Sequence, residues 1–202
     1  MLIRWLLCVL LLIAPSAWAG QTILVFGDSL SANYGIAAEA GWVSLLQQRL
    51  DRKQHGHRII NASISGETTA GGASRIRAAL DTHQPDIVII ELGANDGLRG
   101  LSLEATRQNL DSIMHACGAR KARILLIGMR LPPNYGPAYA EGFAALFPAL
   151  AKKHRTALLP FLLDGIADRR EWFQADNLHP TAAAQPAILK NVWAKLEPLL
   201  SK

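Results

Sequence analysis

Ser29, Asn95 and His179 are residue types that catalyse acyl transfer, and each stands in a polar segment near an apolar run of the sequence. A serine hydroxyl becomes nucleophilic when a neighbouring base removes its proton, and a neutral imidazole suits this task near neutral pH. Asp176 precedes His179 by three residues, so its carboxylate can reach the ring, orient it and stabilise the imidazolium. The set fits the requirements of acyl transfer with Ser29 as the nucleophile.

The tetrahedral intermediate of such a reaction needs hydrogen-bond donors for its oxyanion. We expect these donors to be the backbone N–H groups of Ser29 and Gly66 and the side-chain amide of Asn95. Removing one donor from comparable sites slows catalysis about 100- to 1000-fold. The predicted oxyanion hole therefore joins three segments that lie far apart in the sequence.

Each of these residues also has an ordinary structural role. Ser29 can close a turn or cap a helix, Gly66 can serve backbone conformation alone, and Asn95 can bond its own backbone. Asp176 and His179 can form a local hydrogen bond ahead of a helix. Their joint occurrence in this order, mostly after predicted strands, favours the catalytic interpretation.

Short apolar runs alternate with amphipathic segments along the chain, which predicts an α/β fold. The predicted strands cover 22–26, 58–62, 86–92, 122–128 and 156–159. The predicted helices cover 41–53, 71–82, 103–117, 138–154 (with a kink or break at Pro148) and 181–200.

This alternation implies parallel pairing and right-handed crossovers, and hence a three-layer α/β/α sandwich around a flavodoxin-like, parallel five-stranded sheet of order 2-1-3-4-5. Gly27 follows the first strand and is expected to permit a sharp turn before Ser29. Because parallel strands end at one edge of a sheet, Ser29, Gly66 and Asn95 are expected to converge there. His179 comes from the loop before the last helix.

Four short motifs resemble the sequence blocks of the SGNH (GDSL) hydrolase superfamily. They are, in order, Gly27-Asp28-Ser29-Leu30, Gly66, Gly93-Ala94-Asn95-Asp96 and Asp176-Asn177-Leu178-His179. The resemblance covers nearly the whole chain after residue 19 and is greatest to the bacterial periplasmic members that act as acyl-thioesterase, lysophospholipase and arylesterase. It implies Ser29 as nucleophile, His179 as base, Asp176 as the orienting carboxylate, and Ser29, Gly66 and Asn95 as the oxyanion hole. It also implies a flavodoxin-like fold and no cofactor.

Residues 1–19 have the pattern of a cleavable secretory signal. Arg4 provides the positive charge, 5–13 form the apolar core, and Ala17-Trp18-Ala19 is a small-x-small cleavage site. The apolar core is shorter than the roughly 20 residues that a membrane span needs. We therefore expect export to the periplasm, with residues 20–202 forming a single hydrolase domain.

Composition limits the remaining properties of the chain. With 202 residues, half of them apolar, one domain with a sizeable core is expected. The net charge of +5 is dispersed without interleaved aromatic residues, which argues against nucleic acid as a partner and favours at most weak membrane-surface association. We expect a monomer. Of the two cysteines, Cys8 leaves with the signal, so Cys117 is expected to be a buried hydrophobic residue.

Apolar residues after the third and fourth strands are expected to hold the acyl group of a small-molecule ester or thioester. The position of these segments next to the predicted crevice suggests a groove for a fatty or aromatic acyl chain. The predicted substrate-binding residues are Leu98, Met129, Leu131, Pro132, Tyr135 and Tyr139.

Other functions are also compatible with parts of the pattern. Asp28, Asn95, Asp96, Asp176 and His179 are ligand types found in metal-dependent phosphoesterases, although one histidine is a thin ligand set for such a site. A carbohydrate O-acetylesterase could use the same scaffold. A nucleotide-binding module is disfavoured because no phosphate-binding glycine loop follows the first strand.

Overall fold

Five parallel strands form the centre of the fold in a computed structural model, which describes residues 20–53 and 56–200. The predicted signal peptide, residues 1–19, therefore lies outside the described residues. The strands are β1 (Thr22–Gly27), β2 (Arg58–Asn61), β3 (Ile87–Glu91), β4 (Arg123–Ile127) and β5 (Ala157–Leu159). They lie in the order β2-β1-β3-β4-β5, which confirms the predicted topology.

Burial follows position in the sheet. β1, β3 and β4 are flanked by strands on both sides and are buried almost throughout, as expected for parallel strands covered by helices. β2 and β5 form the edges and are only partly buried. The unbroken apolar runs of the sequence thus mark the inner strands.

Helices cover both faces of the sheet, and the predicted three-layer sandwich is confirmed. They are α1 (Trp42–Arg52), α2 (Thr69–His83), the short α3 (Ala94–Leu98), α4 (Leu103–Ala119), α5 (Pro137–His154) and α6 (Gln185–Leu200). α1 packs against α6 on one face, while α2, α4 and α5 pack in sequence on the other.

Two of the predicted helices contain prolines, and the alternative of a break at Pro148 in α5 is not observed. α5 continues through Pro148, where Phe143, Phe147 and Leu150 pack into the core on either side of it. α6 begins at Gln185, not Thr181, after a short 3-10 turn at Ala182–Ala184. Pro186 explains this start because proline lacks an N–H and fits the first turn of a helix better than its interior.

The core also accounts for Cys117, which lies on the buried face of α4. Burial raises the pKa of its thiol to about 12, so the thiolate nucleophile is not formed near neutral pH. The prediction of a buried hydrophobic residue is confirmed. Within residues 20–53 and 56–200, every helix is too short or too polar to cross a membrane.

The carboxyl edge of the sheet gathers the loops that bear the predicted functional residues. Ser29 follows β1, and the loop after β2 is held beside it because Ile64 N–H donates to the Gly27 carbonyl at 3.0 Å. α3 follows β3 and carries Asn95. The long loop between β5 and α6 brings His179 back to the same edge, as predicted.

Candidate active site

Ser29 and His179 meet at the carboxyl end of β1. The distance from Ser29 Oγ to His179 Nε2 is 2.9 Å, although 150 positions separate the two residues. A tight turn after β1 presents the serine, with the N–H groups of Ser31 and Ala32 donating to the Asp28 carbonyl. Ser29 is 8% exposed, so its hydroxyl lies at the base of a depression and not on an open surface.

Asp176 holds the other nitrogen of the His179 ring. Its Oδ2 lies 2.7 Å from His179 Nδ1, while Oδ1 accepts backbone N–H groups of Leu178 and His179 at 2.9 and 3.0 Å. The backbone hydrogen bond from His179, then that from Leu178, lowers the pKa of Asp176 to about 2. The tautomer with its proton on Nδ1 satisfies both contacts of the ring and leaves Nε2 to accept from Ser29.

Tyr34 also packs on the His179 ring, and sequence reasoning missed it. The two ring centroids are 4.3 Å apart at an angle of 35°. Gln174 links the two segments, since its Nε2 donates to the Tyr34 carbonyl at 2.8 Å and its N–H donates to the His179 carbonyl at 2.8 Å. A tyrosine five residues after the serine gives no sequence signal, because the contact exists only once the distant loop has folded back.

The three predicted oxyanion donors lie in adjoining loops. Gly66 adopts a φ of 80°, which glycine tolerates, and its carbonyl accepts from Arg99 Nη2 at 3.0 Å. Within the described part of the chain, neither the Ser29 N–H nor the Gly66 N–H has an acceptor. The Asn95 amide donates to Asp28 Oδ2 at 3.2 Å and to the Glu67 carbonyl at 3.0 Å.

A buried pair of carboxyl groups, Asp28 and Glu91, lies beneath the serine turn. Both side chains are fully buried. Burial raises the pKa of Asp28 to about 6, and burial followed by the Asp28 charge raises the pKa of Glu91 well above its ordinary value. Sequence reasoning did not select Glu91. The available signal was an acidic residue at the end of the otherwise apolar run Ile87–Ile90.

A cleft of about 590 Å³ opens beside Ser29 and His179. Four of the predicted substrate-binding residues line it, namely Leu98, Met129, Leu131 and Pro132. Further apolar walls come from the loop after β5, and Arg130, Asp164 and Asp168 add charge to the lining.

Tyr135 and Tyr139 do not line this cleft, in contrast to the expectation from sequence. The Tyr135 hydroxyl donates to the Leu98 carbonyl at 2.9 Å, and the Tyr139 hydroxyl donates to the Leu101 carbonyl at 2.7 Å. The turn that starts α5 directs both rings towards the segment after α3. Their contacts therefore brace the wall that contains Leu98.

The side chains considered as metal ligands are engaged in internal contacts. Asp96 accepts from Thr69 N and Thr69 Oγ1 at 2.9 and 2.5 Å, and Asp176 is held by its own loop. Among residues 20–53 and 56–200, no group of three or more histidine, cysteine, aspartate or glutamate side chains is arranged to hold a metal ion.

Residues 25–186 match the GDSL-like lipase/acylhydrolase family. The chain belongs to this family. It is 48% identical over 193 residues to "Esterase TesA" of Pseudomonas aeruginosa, covering 96% of each protein. It is 42% identical over 200 residues to "Thioesterase 1/protease 1/lysophospholipase L1" of Escherichia coli K12, covering 98% of this chain and 95% of that protein.

The fold agrees with solved structures of the family. A crystal structure of the psychrotrophic esterase EstA from Pseudoalteromonas sp., inhibited by monoethylphosphonate, superposes with a TM-score of 0.86 at 40% identity, covering 90% of this chain and all of that one. Family membership confirms the resemblance drawn from the four motifs. It also confirms the prediction of a serine hydrolase that cleaves esters and thioesters, over the metal-dependent and nucleotide-binding alternatives.

Proposed function

We propose that this hydrolase cleaves fatty-acyl or aryl esters and thioesters with Ser29 as nucleophile, His179 as general base and Asp176 as the orienting carboxylate. The observation that carries the proposal is the hydrogen-bonded chain from Ser29 Oγ through the His179 ring to Asp176, with contacts of 2.9 and 2.7 Å. Nucleophile, base and orienting group are within the reach that proton transfer needs.

In the first step, Ser29 Oγ attacks the carbonyl carbon while His179 Nε2 takes the hydroxyl proton. The carbonyl π electrons move to oxygen and form the oxyanion. When the intermediate collapses, the bond from carbon to the alcohol or thiol breaks, and the Nε2 proton passes to that leaving group. Asp176 stays ionised throughout, because its pKa is lowered to about 2, and stabilises the imidazolium.

In the second step, a water molecule attacks the acyl-Ser29 ester. His179 Nε2 takes a proton from the water, and the same proton returns to Ser29 Oγ when the acyl–serine bond breaks. The products are a carboxylic acid and the free serine. The same base thus serves both halves of the reaction.

The oxyanion hole in this proposal consists of the N–H groups of Ser29 and Gly66 and the amide of Asn95. The first two N–H groups have no acceptor in the described part of the chain, which supports this role. Both Asn95 N–H groups already have acceptors. The oxyanion would compete for the longer of these two contacts, the one to Asp28 at 3.2 Å.

The cleft supports an apolar acyl group as the specificity element. Its lining includes Leu98, Met129, Leu131, Phe161 and Leu163, all within the same cavity as Ser29. The names of the related proteins, esterase and thioesterase/lysophospholipase, favour the same substrate class. We also propose export to the periplasm, which the signal pattern of residues 1–19 supports, and a monomeric enzyme.

A panel of p-nitrophenyl esters of graded chain length and an acyl-CoA thioester tests the proposal with the wild type, Ser29→Ala and Ser44→Ala. Ser44 lies in α1, outside the cleft, and its hydroxyl donates to the Ala38 carbonyl, so Ser44→Ala is a matched control. We expect Ser29→Ala to lose activity by about 10⁴-fold or more. Wild-type turnover by Ser29→Ala would overturn the proposal.

Covalent labelling gives an independent readout. A fluorophosphonate should add one phosphonyl group to the wild type and to Ser44→Ala, and none to Ser29→Ala, as measured by intact mass. Peptide mapping should place the group on Ser29. Labelling of a different serine, with turnover lost in parallel, would contradict the assignment of the nucleophile.

A further inference from the structure

The side chain of Glu91 organises the turn that carries Ser29. Its Oε2 accepts the Ser31 hydroxyl at 2.7 Å and the Asp28 N–H at 3.3 Å. These two donors flank Ser29 in the sequence, so one carboxyl oxygen holds a backbone N–H before the nucleophile and a side-chain hydroxyl after it. Because β1 and β3 pair with Gly27 opposite Glu91, the contact is set by the sheet and not by a flexible loop.

The second carboxyl group of the pair extends the network to Asn95. The Asp28 N–H donates to Glu91, and the Asp28 side chain carries the network onward. Asp28 Oδ1 accepts from Leu30 N–H at 3.0 Å, and Oδ2 accepts from Asn95 Nδ2 at 3.2 Å. A chain of contacts thus runs from Glu91 through Asp28 to the amide proposed as an oxyanion donor.

The chemistry of the pair requires one proton between the two acids. Two neighbouring carboxylates in a fully buried site repel each other and lack solvation, so both cannot ionise together. Glu91 Oε1 is buried and receives no donor from the described residues, whereas Asp28 has donors on both oxygens. The proton therefore belongs on Glu91 and the negative charge on Asp28.

We propose that Glu91 is a positioning residue that acts as an uncharged carboxylic acid, holding the turn that presents Ser29 and, through Asp28, the amide of Asn95. The proposal rests on the proposed role of Ser29 as nucleophile. Glu91 itself does not line the cleft, so its effect is transmitted through Ser31, Asp28 and Asn95.

Two substitutions separate this role from simple packing. Glu91→Gln keeps an oxygen that accepts from the Ser31 hydroxyl and the Asp28 N–H and, like the protonated acid, carries no charge. Glu91→Leu keeps the volume and removes both hydrogen bonds. We expect Glu91→Leu to lower kcat about 10- to 100-fold with little change in KM, and Glu91→Gln to restore kcat to within about threefold of wild type. Active sites are counted by fluorophosphonate titration.

Ile89→Ala is the matched control for lost stability. Ile89 lies two residues before Glu91 in β3, on the same face of the sheet, and is fully buried without a polar contact. The Ile89→Ala substitution should lower the denaturation midpoint and leave kcat per titrated site unchanged. If Glu91→Leu yields no folded protein, Ser31→Ala decides, with an expected loss in kcat of about 3- to 10-fold. If Glu91→Leu folds and has the wild-type kcat, the proposal is overturned. If it does not fold, a wild-type kcat for Ser31→Ala overturns the proposal.

The uncharged state has its own readout. In unfolded wild type, Glu91 releases its proton near pH 4.5, whereas the folded protein retains it, because its pKa is raised. The wild type therefore loses stability as pH rises above that value, and Glu91→Gln, which has no such proton, does not. We expect the denaturation midpoint of Glu91→Gln, measured relative to that of wild type, to rise between about pH 5 and about pH 8.

The outcomes distinguish the two proposals. Inactive Ser29→Ala together with fully active Glu91→Leu removes the positioning role and leaves the nucleophile assignment intact. If Ser29→Ala is inactive and Glu91→Gln is as impaired as Glu91→Leu, Glu91 does not act as an uncharged acid. A difference between the denaturation midpoints of Glu91→Gln and wild type that does not change with pH has the same consequence. Active Ser29→Ala removes the proposed function itself.

Discussion

Gly27 and Glu91 pair across β1 and β3, and a Cβ on Gly27 would lie 2.7 Å from Glu91 Oε2. The same Cβ would lie 2.9 Å from Ser31 Oγ. Gly27 does not have a positive φ, so the space beneath the turn, and not a backbone conformation reserved for glycine, excludes a side chain here. The sequence had suggested only that this glycine permits a sharp turn.

Replacement of Gly27 by alanine should therefore disturb both stability and activity. The added methyl group must displace the Glu91 carboxyl or the Ser31 hydroxyl, and overpacking of this kind costs about 1–3 kcal/mol of unfolding free energy. We expect kcat to fall as well, because the displaced groups hold the Ser29 turn. Urea denaturation and ester turnover measure the two effects.

Gly118→Ala is the control for the glycine substitution itself. Gly118 lies in the last turn of α4 without a positive φ, and an added Cβ would meet nothing within 4 Å beyond its chain neighbours and the backbone of its own helix. Alanine there should raise stability by up to about 1 kcal/mol and leave kcat unchanged. Equal stability and turnover of Gly27→Ala and wild type would show that the contact with Glu91 is not restrictive.

Asn95→Ala tests the oxyanion hole. Loss of the side-chain amide removes one donor to the developing charge, and kcat should fall about 100- to 1000-fold with a small change in KM. Asn109→Ala is the control, since it also loses an amide hydrogen bond, to Thr69 Oγ1 at 3.2 Å, outside the cleft. Comparable kcat values for the two variants would remove Asn95 from the oxyanion hole.

Asp176→Asn tests the orienting carboxylate. The amide cannot stabilise the imidazolium and favours the wrong tautomer of His179, so kcat should fall about 10²- to 10⁴-fold while the ester still binds. Steady-state kinetics with one p-nitrophenyl ester measures this loss. A kcat close to wild type would show that the contact between Asp176 and His179 only shapes the loop.

The same variant gives a pH dependence of stability. The pKa of Asp176 is about 2 in the folded chain against an ordinary value of 3.8, so the folded state favours the ionised form. The stability from this group is therefore fully present above the ordinary value and is lost as pH falls towards the folded one. The advantage of wild type over Asp176→Asn should shrink over this interval in denaturant titrations, and an advantage that persists in acid would contradict the assignment.

Leu131→Trp tests the acyl groove. Leu131 lines the cleft beside Ser29, and a larger ring there should exclude long acyl chains before short ones. We expect the ratio of kcat/KM for p-nitrophenyl octanoate over acetate to fall about tenfold or more. Leu101→Trp, at an exposed position outside the cleft, should leave the ratio unchanged. An unaltered ratio in Leu131→Trp would place the acyl chain elsewhere.

The sequence by itself determined the sheet and the motifs at its edge. Apolar runs such as Ile87–Ile90 report burial on both faces, and their alternation with helices leaves few topologies to choose from. The contact of Asp176 with His179 is local, so its spacing in the chain was enough to predict it. The pairing of Ser29 with His179 was expected from the acyl-transfer chemistry of the motifs, and not from local spacing, since 150 positions separate the two residues.

Only the tertiary structure decided which side chains support these residues. Tyr34 packs on His179, and Ser31 reaches Glu91 from 60 positions away, through contacts that depend on strand register and loop return. The tyrosines expected in the cleft, Tyr135 and Tyr139, turn to backbone carbonyls instead. Periodicity records how far a residue is buried but not against what, because the partner is fixed only when strands and loops distant in sequence come together.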